Sequence, residues 1–182
     1  MSAVLNCNIT FIGGGNMAQA LIGGLISRGL PATRITVSDP VAQIRELLLE
    51  KDVHVTEDNV TAIKDADIVV LAVKPQVLGS VLKPLQGLFE QKLIISIVAG
   101  AEIQTISELT GNDRVVRVMP NTPALVQTGA HGIFAKEEVG AKDRELATQV
   151  LPATGLILGK SREAQINAVT AVSGSGPAYF FY

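Results

Sequence analysis

Short apolar runs alternate with amphipathic segments along the chain. The run from Asp67 to Val73 is apolar at every position after the aspartate, which is typical of a parallel strand covered on both faces. Segments with helical spacing separate such runs, so the alternation excludes a mainly antiparallel design and predicts an α/β fold with a mostly parallel sheet. The predicted strands are 9–12, 34–38, 53–55, 67–73, 93–98 and 114–119. Helices between them include 56–64, with Thr56 as its cap, 76–89 and 103–109.

The last third of the chain is less regular. Strands at 129–136 and 154–158 flank a helix at 138–150, whereas 164–171 fits either a helix or a loop. The segment 173–177 predicts a second glycine-rich turn, in which Pro177 opens a helix. The chain closes on two phenylalanines and a tyrosine, so we expect a further helical region, or another chain, to cover these side chains.

The turn after the first strand carries a glycine motif. Gly13, Gly15 and Ala18 fill the small positions of G-x-G-x-x-G/A. The first position allows a sharp turn, the second lets the backbone approach a pyrophosphate, and the third lets helix and strand pack closely. The helix that follows continues to Leu25, and its first N–H groups, at 16–18, would face the phosphates. The motif therefore predicts a Rossmann-type, doubly wound dinucleotide-binding fold, with a ligand-free tight turn as the alternative.

An acidic residue follows the second strand, where a Rossmann unit holds the adenosine ribose. Asp39 occupies this place, but Asp39 and Pro40 also form the N-cap and first-turn signature of the next helix. The two roles are compatible, and both stay open. Ser38 is placed to donate to a 2′-phosphate instead, so NADP and NAD both remain candidates.

The next two strands end in residues that suit a cofactor channel. Lys74 and Pro75 directly follow the most apolar strand, at the sheet edge where ligands bind in open α/β sheets. A lysine here serves equally well to solvate the turn. Ala99 and Gly100 close the following strand, and their small size would let a cofactor pass close to the backbone.

Two prolines surround Asn121 after the sixth strand. Pro120 and Pro123 fix the backbone on either side, and the side-chain amide of Asn121 both donates and accepts hydrogen bonds. The same segment also fits a helix N-terminus, with Thr122 as the cap and Pro123 in the first helical position. The residues alone leave these two interpretations open.

The histidines and the cysteine form no recognisable catalytic or metal-binding set. We expect His54 to be a partly exposed strand residue and His131 to be a solvated structural residue. Cys7 is the one cysteine, which excludes an internal disulfide and fits a reducing compartment.

Composition narrows the class of protein. With 182 residues and 47% apolar content, the chain forms one good core and at most part of a second domain. A net charge of -2 and 4% aromatic residues argue against nucleic acid and anionic membranes as partners. No stretch of twenty apolar residues predicts a membrane span, and Asn6 and Asn8 interrupt the only early apolar run, so we expect no signal peptide and a cytoplasmic location.

Four segments, in this order and spacing, resemble the pyrroline-5-carboxylate reductase family. They are FIGGGNMAQALIGG from Phe11, AVKPQ from Ala72, RVMPNTPALVQTGAHG from Arg117 and AVSGSGPAYFF from Ala171. Many nucleotide-binding dehydrogenases share the first segment, whereas MPNTP and SGSGPAY are far more specific. The resemblance covers the whole chain and implies reduction of Δ1-pyrroline-5-carboxylate to L-proline by NADPH or NADH. It also implies a cytoplasmic enzyme with a homodimeric core that assembles further.

The resemblance also assigns the site residues. Those at the pyrophosphate would be Gly13, Gly14, Gly15, Asn16 and Met17. Those at the adenosine ribose or its 2′-phosphate would be Ser38, Asp39 and Asn59. Those along the cofactor channel and near the nicotinamide would be Ala72, Lys74, Pro75, Ala99, Gly100, Asn121 and Thr122. Those at the entrance to the substrate pocket would be Ser173, Gly174, Ser175, Gly176 and Pro177.

The chain departs from the family pattern in two respects. Family members continue for about another domain of helices, which carries the dimer interface and a loop that holds the substrate. We therefore expect a Rossmann domain at 1–160 and, at 161–182, a connector and the start of a helical substrate and dimerisation domain. Several relatives carry asparagine or a basic residue where this chain has Asp39, whose carboxylate would repel a 2′-phosphate.

Three hypotheses for the function follow. The first is the reductase, with this chain as its cofactor half. It needs no catalytic side chain and no metal, because a protonated imine is already electrophilic and the protein has only to bring donor and acceptor together. The second is a dinucleotide-binding module without turnover. The third is an enzyme like the 3-hydroxyacid dehydrogenases, which would need a lysine in the helix after the second glycine-rich turn.

Overall fold

The computed structural model describes residues 6–121, 123–124, 128–151, 155–159 and 162–175. The described strands form one sheet: β1 (Ile9–Ile12), β2 (Ile35–Ser38), β3 (His54–Thr56), β4 (Ile68–Leu71), β5 (Leu93–Ser96), β6 (Val115–Met119), β7 (Gly129–Ala135) and β8 (Gly155–Gly159). The described α-helices are α1 (Asn16–Ser27), α2 (Ala42–Leu49), α3 (Asn59–Ile63), α4 (Leu78–Leu82), α5 (Ile103–Thr110), α6 (Ala141–Val150) and α7 (Ala164–Val169).

The strand order is β3-β2-β1-β4-β5-β6-β7-β8, with every neighbouring pair parallel except β6 and β7. Strand β1 lies between β2 and β4, with Ile9 opposite Ile35 on one side and Ile68 on the other. The chain therefore winds outward in both directions from β1, which confirms the predicted doubly wound Rossmann-type fold. Its switch point lies at the carboxyl ends of β1 and β4.

Both faces of the sheet are covered, as the unbroken apolar runs predict. On one face, Phe11 packs with the buried Leu21 and Leu25 of α1. On the other face, Ile12 packs in a cluster that includes Leu82 of α4 and Ile106 of α5. Each fully buried side chain of this size contributes about 1.5–3 kcal/mol relative to exposure. Packing on two faces thus holds the carboxyl ends of the strands in a fixed arrangement.

The predicted helix at 76–89 is wrong in its length and continuity. A 3₁₀ turn at Pro75–Val77 leads into α4, and a second one at Lys83–Leu85 follows it. Pro84 lacks the N–H that a continuing helix would need, and Gly87 has a φ of +86°. The segment therefore breaks into three short pieces.

Two local predictions about polar residues are also wrong. The N-cap of α3 is Asp58, whose carboxylate accepts hydrogen bonds from the N–H groups of Val60 and Thr61; Thr56, the predicted cap, instead accepts from the N–H of Asp58. His131 is fully buried within β7 rather than solvated. His54 is exposed in β3, as predicted.

The ambiguous segment at 164–171 is helical. Helix α7 continues directly into a π-helical stretch at Thr170–Ser175. The predicted glycine-rich turn is therefore wrong for Ser173, Gly174 and Ser175, which prolong the helix. Gly176 and Pro177 lie outside the described residues.

The ion pair between Arg114 and Asp143 joins the start of β6 to α6. Two hydrogen bonds of 2.8 Å link the guanidinium to the carboxylate, and they hold the pKa of Asp143 below its ordinary value. Because the folded-state pKa is the lower one, the pair stabilises the fold above the unfolded pKa of about 3.9, and the contribution disappears as the pH falls through the folded pKa.

We expect Asp143→Asn to lower the free energy of unfolding by about 1 kcal/mol at neutral pH and to reduce its acid dependence. Urea unfolding at pH values from about 7 down to about 3 measures both effects. Asp113→Asn is the control, since Asp113 is exposed and forms no side-chain ion pair within the described residues. Equal acid dependence in the two variants would show that the pair contributes nothing.

Candidate functional site

A cavity of about 670 Å³ opens at the switch point of the sheet. The loops after β1, β2, β3 and β4 form its walls, so it lies where ligands bind in open α/β sheets. Seven of the predicted site residues line it: Gly13, Gly15, Ser38, Asp39, Asn59, Ala72 and Lys74. The structure thus brings together residues from four separate parts of the sequence.

The three glycines after β1 have different steric environments. Gly13 has a φ of +100°, and a Cβ atom there would lie 2.6 Å from the carbonyl oxygen of Ala72. A Cβ at Gly14 would lie 2.8 Å from side-chain carbons of Ile44 and Leu48 in α2. A Cβ at Gly15 would have no protein atom within 4 Å. Packing thus requires the first two glycines, whereas Gly15 leaves open space beside the cavity.

Hydrogen bonds fix the shape of this loop. The N–H of Gly13 donates to the carbonyl oxygen of Ser38 at 2.8 Å, and the N–H of Gly14 donates to Oδ2 of Asp39 at 2.8 Å. The side chain of Gln19 donates to the carbonyl oxygen of Gly14 at 2.9 Å. The loop is therefore held from β2 and from α1 before any ligand arrives.

The N-terminus of α1 begins at this loop. Gly15 is the N-cap, no side chain caps it, and the first turn carries no acidic residue. The first intrahelical bond runs from the N–H of Gln19 to Gly15, so the N–H groups at 16–18 have no partner within the helix. Ala18 is buried where helix and strand meet. The positive end of the helix is thus free to attract an anion.

Asp39 links the glycine loop to the start of α2. Its side chain is buried, Oδ2 accepts from Gly14, and Oδ1 accepts from the N–H of Val41 at 2.9 Å. The N-cap of α2 is Val41 itself, so the helix-cap interpretation of Asp39 is wrong. The hydroxyl of Ser38 is buried with no hydrogen-bond partner within the described residues. Contact of either residue with a ribose stays a prediction.

Sequence reasoning missed a group of charges at this end of the cavity. Glu57 and Asp58 line the wall beside Asn59, and Arg45 of α2 lies against Glu57. Nη1 of Arg45 donates to the carbonyl oxygen of Asp39 at 2.7 Å, and Nη2 lies 3.3 Å from Oε2 of Glu57. Hydrogen bonds from Thr61 hold the pKa of Asp58 below its ordinary value. The one sequence signal for this charged group is Asp58, an acidic residue directly before the short helix α3.

Lys74 lies at the other side of the cavity, directly after β4. Its side chain is exposed and forms no ion pair within the part of the chain that the structure describes. Pro75 begins the 3₁₀ turn that follows. The ammonium group is therefore available to an anionic ligand in the cavity.

The residues predicted near a nicotinamide lie at the same sheet edge but outside the cavity wall. Ala99 and Gly100 follow β5, where Gly100 has a φ of +72°. Asn121 follows β6, and both ends of its side-chain amide are engaged. Its Oδ1 accepts from the N–H of Ala130 at 2.9 Å, and its Nδ2 donates to Oγ of Ser173 at 2.9 Å. The two most specific sequence motifs thus meet through this hydrogen bond.

Four further predicted residues add nothing to the cavity wall. Gly14, Asn16, Met17 and Pro75 lie in or next to the cavity-forming loops without lining the space. Thr122, Gly176 and Pro177 lie outside the described residues.

A charge network around the buried Arg117, absent from the predictions, holds α7 to the sheet. Arg117 of β6 is 1% exposed, and its guanidinium bonds Oε1 of Glu163 at 3.1 Å and Oδ1 of Asn167 at 2.8 Å. The same Glu163 oxygen accepts from the N–H of Ile103, the first residue of α5, at 2.7 Å. An arginine inside the apolar run VVRVM is the signal that points to such a network.

The doubly wound sheet, the glycine loop with one open position and the uncapped helix at the switch point define a dinucleotide-binding domain. None of the helices in the described ranges is long and apolar enough to cross a membrane. The family model for NADP oxidoreductase, coenzyme F420-dependent, matches residues 8–100. That segment contains every residue that lines the cavity.

Comparison with individual proteins identifies the family more narrowly than the family model does. A pyrroline-5-carboxylate reductase of Pseudomonas aeruginosa is 51% identical over 176 residues, which are 95% of this chain and 64% of that protein. A pyrroline-5-carboxylate reductase structure from Coxiella burnetii matches with a TM-score of 0.91 and 41% identity, over 97% of this chain and 67% of that one. The chain belongs to the pyrroline-5-carboxylate reductase family.

A structure of the Plasmodium falciparum pyrroline carboxylate reductase with NADP bound also matches. Its TM-score is 0.85 and its identity 30%, over 97% of this chain and 65% of that one. The chain spans slightly less than two thirds of the length of the Pseudomonas aeruginosa relative.

Proposed function

We propose that this chain is the cofactor half of an enzyme that reduces Δ1-pyrroline-5-carboxylate to L-proline with NADH or NADPH. The observation that carries the proposal is the open position at Gly15. Neighbouring glycines are required by packing, but this one faces space at the cavity and the free end of α1. A glycine there serves a ligand whose phosphates approach the backbone. Membership of the reductase family supports the reaction.

The residues of the cavity fit a dinucleotide. The glycine loop and the N–H groups at 16–18 suit the pyrophosphate, and the ammonium of Lys74 adds positive charge from the opposite wall. Ser38, Asp39 and Asn59 suit the adenosine side, where the buried hydroxyl of Ser38 has no partner within the described residues. The dinucleotide, when bound, supplies the hydride.

The remaining task of the protein is positioning. A protonated imine is already electrophilic, so the chain has to hold donor and acceptor carbons close together and keep water out. Ala99, Gly100, Asn121 and Thr122 would flank the nicotinamide, and the segment 173–177 would form the entrance for the substrate. The hydrogen bond between Asn121 and Ser173 supports this arrangement, because it places the two segments beside each other.

The division into domains is part of the proposal. We infer a dinucleotide-binding domain at 1–160 and a connector at 161–182 that begins a helical domain for substrate and dimerisation. Helix α7 lies in this connector and is tied to β6 by the Arg117 network. The exposed Leu156 and Val172, which are 65% and 76% exposed, support further contacts in a homodimer or higher homo-oligomer. The buried, unpaired Cys7 fits a cytoplasmic location.

We expect the 182-residue chain to bind a reduced dinucleotide, and adding Δ1-pyrroline-5-carboxylate tests whether the cofactor half alone also consumes it. Titration with NADH and NADPH, followed by the nicotinamide's own fluorescence, measures binding without interference, since the chain contains no tryptophan. Loss of absorbance of the reduced cofactor measures turnover.

The outcomes separate the hypotheses. Binding without turnover would favour a binding module and contradict catalysis by this chain. Turnover of a 3-hydroxyacid, but not of the cyclic imine, would overturn the assignment of the reaction. Failure to bind either dinucleotide would overturn the proposal as a whole.

A further inference from the structure

We propose that the cavity selects a dinucleotide with a free 2′-hydroxyl over one with a 2′-phosphate. We infer that Glu57 sets this preference, because its ion pair with Arg45 keeps the guanidinium from binding a phosphate. The inference rests on the proposed function, because it assumes that the adenosine ribose lies between the loops after β2 and β3. It assigns a role to two residues that no predicted motif contains.

Negative charge dominates this end of the cavity. Asp39, Glu57 and Asp58 all line it, and the described lining residues of these two loops include no lysine or arginine. A 2′-phosphate carries up to two negative charges and would meet these carboxylates at short range. A ribose hydroxyl instead can donate a hydrogen bond to a carboxylate oxygen or to Ser38.

Two of the three carboxylates are structural. The oxygens of Asp39 accept from the N–H groups of Gly14 and Val41, and those of Asp58 accept from Val60 and Thr61. Neither residue is available for substitution without loosening a loop or a helix. Glu57 is different, since among the described residues its carboxylate forms an ion pair only with Arg45, and its side chain is 74% exposed.

Arg45 is bonded to two of the residues that line this end of the cavity, Asp39 and Glu57. Its guanidinium donates to the carbonyl oxygen of Asp39, which anchors it beside the cavity wall, and its other terminal nitrogen faces Glu57 at 3.3 Å. An arginine beside the second strand is the residue type that accommodates a 2′-phosphate in Rossmann folds. Here Nη2 of Arg45 is paired with the carboxylate of Glu57. The charge of Arg45 is therefore balanced by Glu57 and not by a ligand phosphate.

The test measures dissociation constants for NADH and NADPH on the chain and on two variants. We expect the unmodified chain to bind NADH at least about tenfold more tightly than NADPH at low salt, and this ratio to shrink at 1 M salt. Glu57→Gln should shift the ratio toward NADPH by roughly fivefold, since it removes one carboxylate and releases one nitrogen of Arg45.

Glu50→Gln is the matched control. Glu50 follows α2, is exposed, and forms no ion pair within the described residues. The substitution Glu50→Gln changes the net charge by the same amount as Glu57→Gln and should leave the ratio of the two dissociation constants unchanged. Tighter binding of NADPH to the unmodified chain, or the same shift in both variants, would overturn this inference while leaving dinucleotide binding intact. If neither dinucleotide binds the unmodified chain, the proposed function itself fails.

Discussion

Replacing Gly15 with valine should raise the dissociation constant for NADH by on the order of 100-fold. The added side chain would occupy the space beside the cavity into which the backbone now opens. The pyrophosphate would then lose its close approach to the N–H groups at the start of α1, and with it the favourable end of the helix dipole. The same fluorescence titration measures the effect.

The fold should survive this substitution. Gly15 has a φ of -64° and a ψ of 178°, a conformation that valine adopts readily, and its Cβ would have no protein atom within 4 Å. Gly23→Val is the matched control, because Gly23 lies in α1, the helix that Gly15 caps, with equally open surroundings, but does not line the cavity. Unchanged NADH affinity in a folded Gly15→Val variant would contradict the pyrophosphate assignment.

Local sequence patterns predict most of the sheet. The run at 67–73 corresponds to β4, whose four residues are all buried, because a parallel strand covered on both faces needs apolar residues throughout. The continuous helix predicted at 76–89 rested on its apolar spacing and ignored Pro84. A proline has no N–H to donate, so it interrupts the helix whatever the apolar spacing. Patterns thus locate elements well and their ends less well.

The candidate site was predictable only where a motif carries its own geometry. The spacing of Gly13, Gly15 and Ala18 predicts a turn, an open position and a close packing contact, and the structure has all three. Asp39 was also identified from its position after β2. Its bonds to Gly14 and Val41 were not, because they depend on how two loops meet in three dimensions.

The charged pairs lay beyond sequence reasoning for the same reason. Arg45 and Glu57 belong to different elements and meet because β3 lies beside β2 in the sheet. Arg117 and Glu163 are separated by 46 positions, and nothing in either local pattern indicates the other. Which charged residues form such pairs depends on how segments that are distant in sequence align in the fold. That alignment is not visible in a single sequence.

The Arg117 network should make Glu163→Ala the most destabilising of the substitutions proposed. We expect it to lower the free energy of unfolding by about 3 kcal/mol, because it leaves the charge of Arg117, which is 1% exposed, without its carboxylate partner. It also removes the acceptor for the N–H of Ile103 at the start of α5. Urea unfolding followed by circular dichroism measures the loss, with the exposed Glu138→Ala as the control.

A second variant separates the buried charge from the lost hydrogen bond. Arg117→Met combined with Glu163→Ala should be more stable than Glu163→Ala alone, since methionine fills the buried site without an uncompensated charge. The loss that remains would then report the unpaired N–H of Ile103. A double variant less stable than Glu163→Ala would show that Arg117 contributes mainly through its bond to Asn167. If Glu163→Ala lowered the free energy of unfolding no more than Glu138→Ala does, the stabilising role of the network would be contradicted.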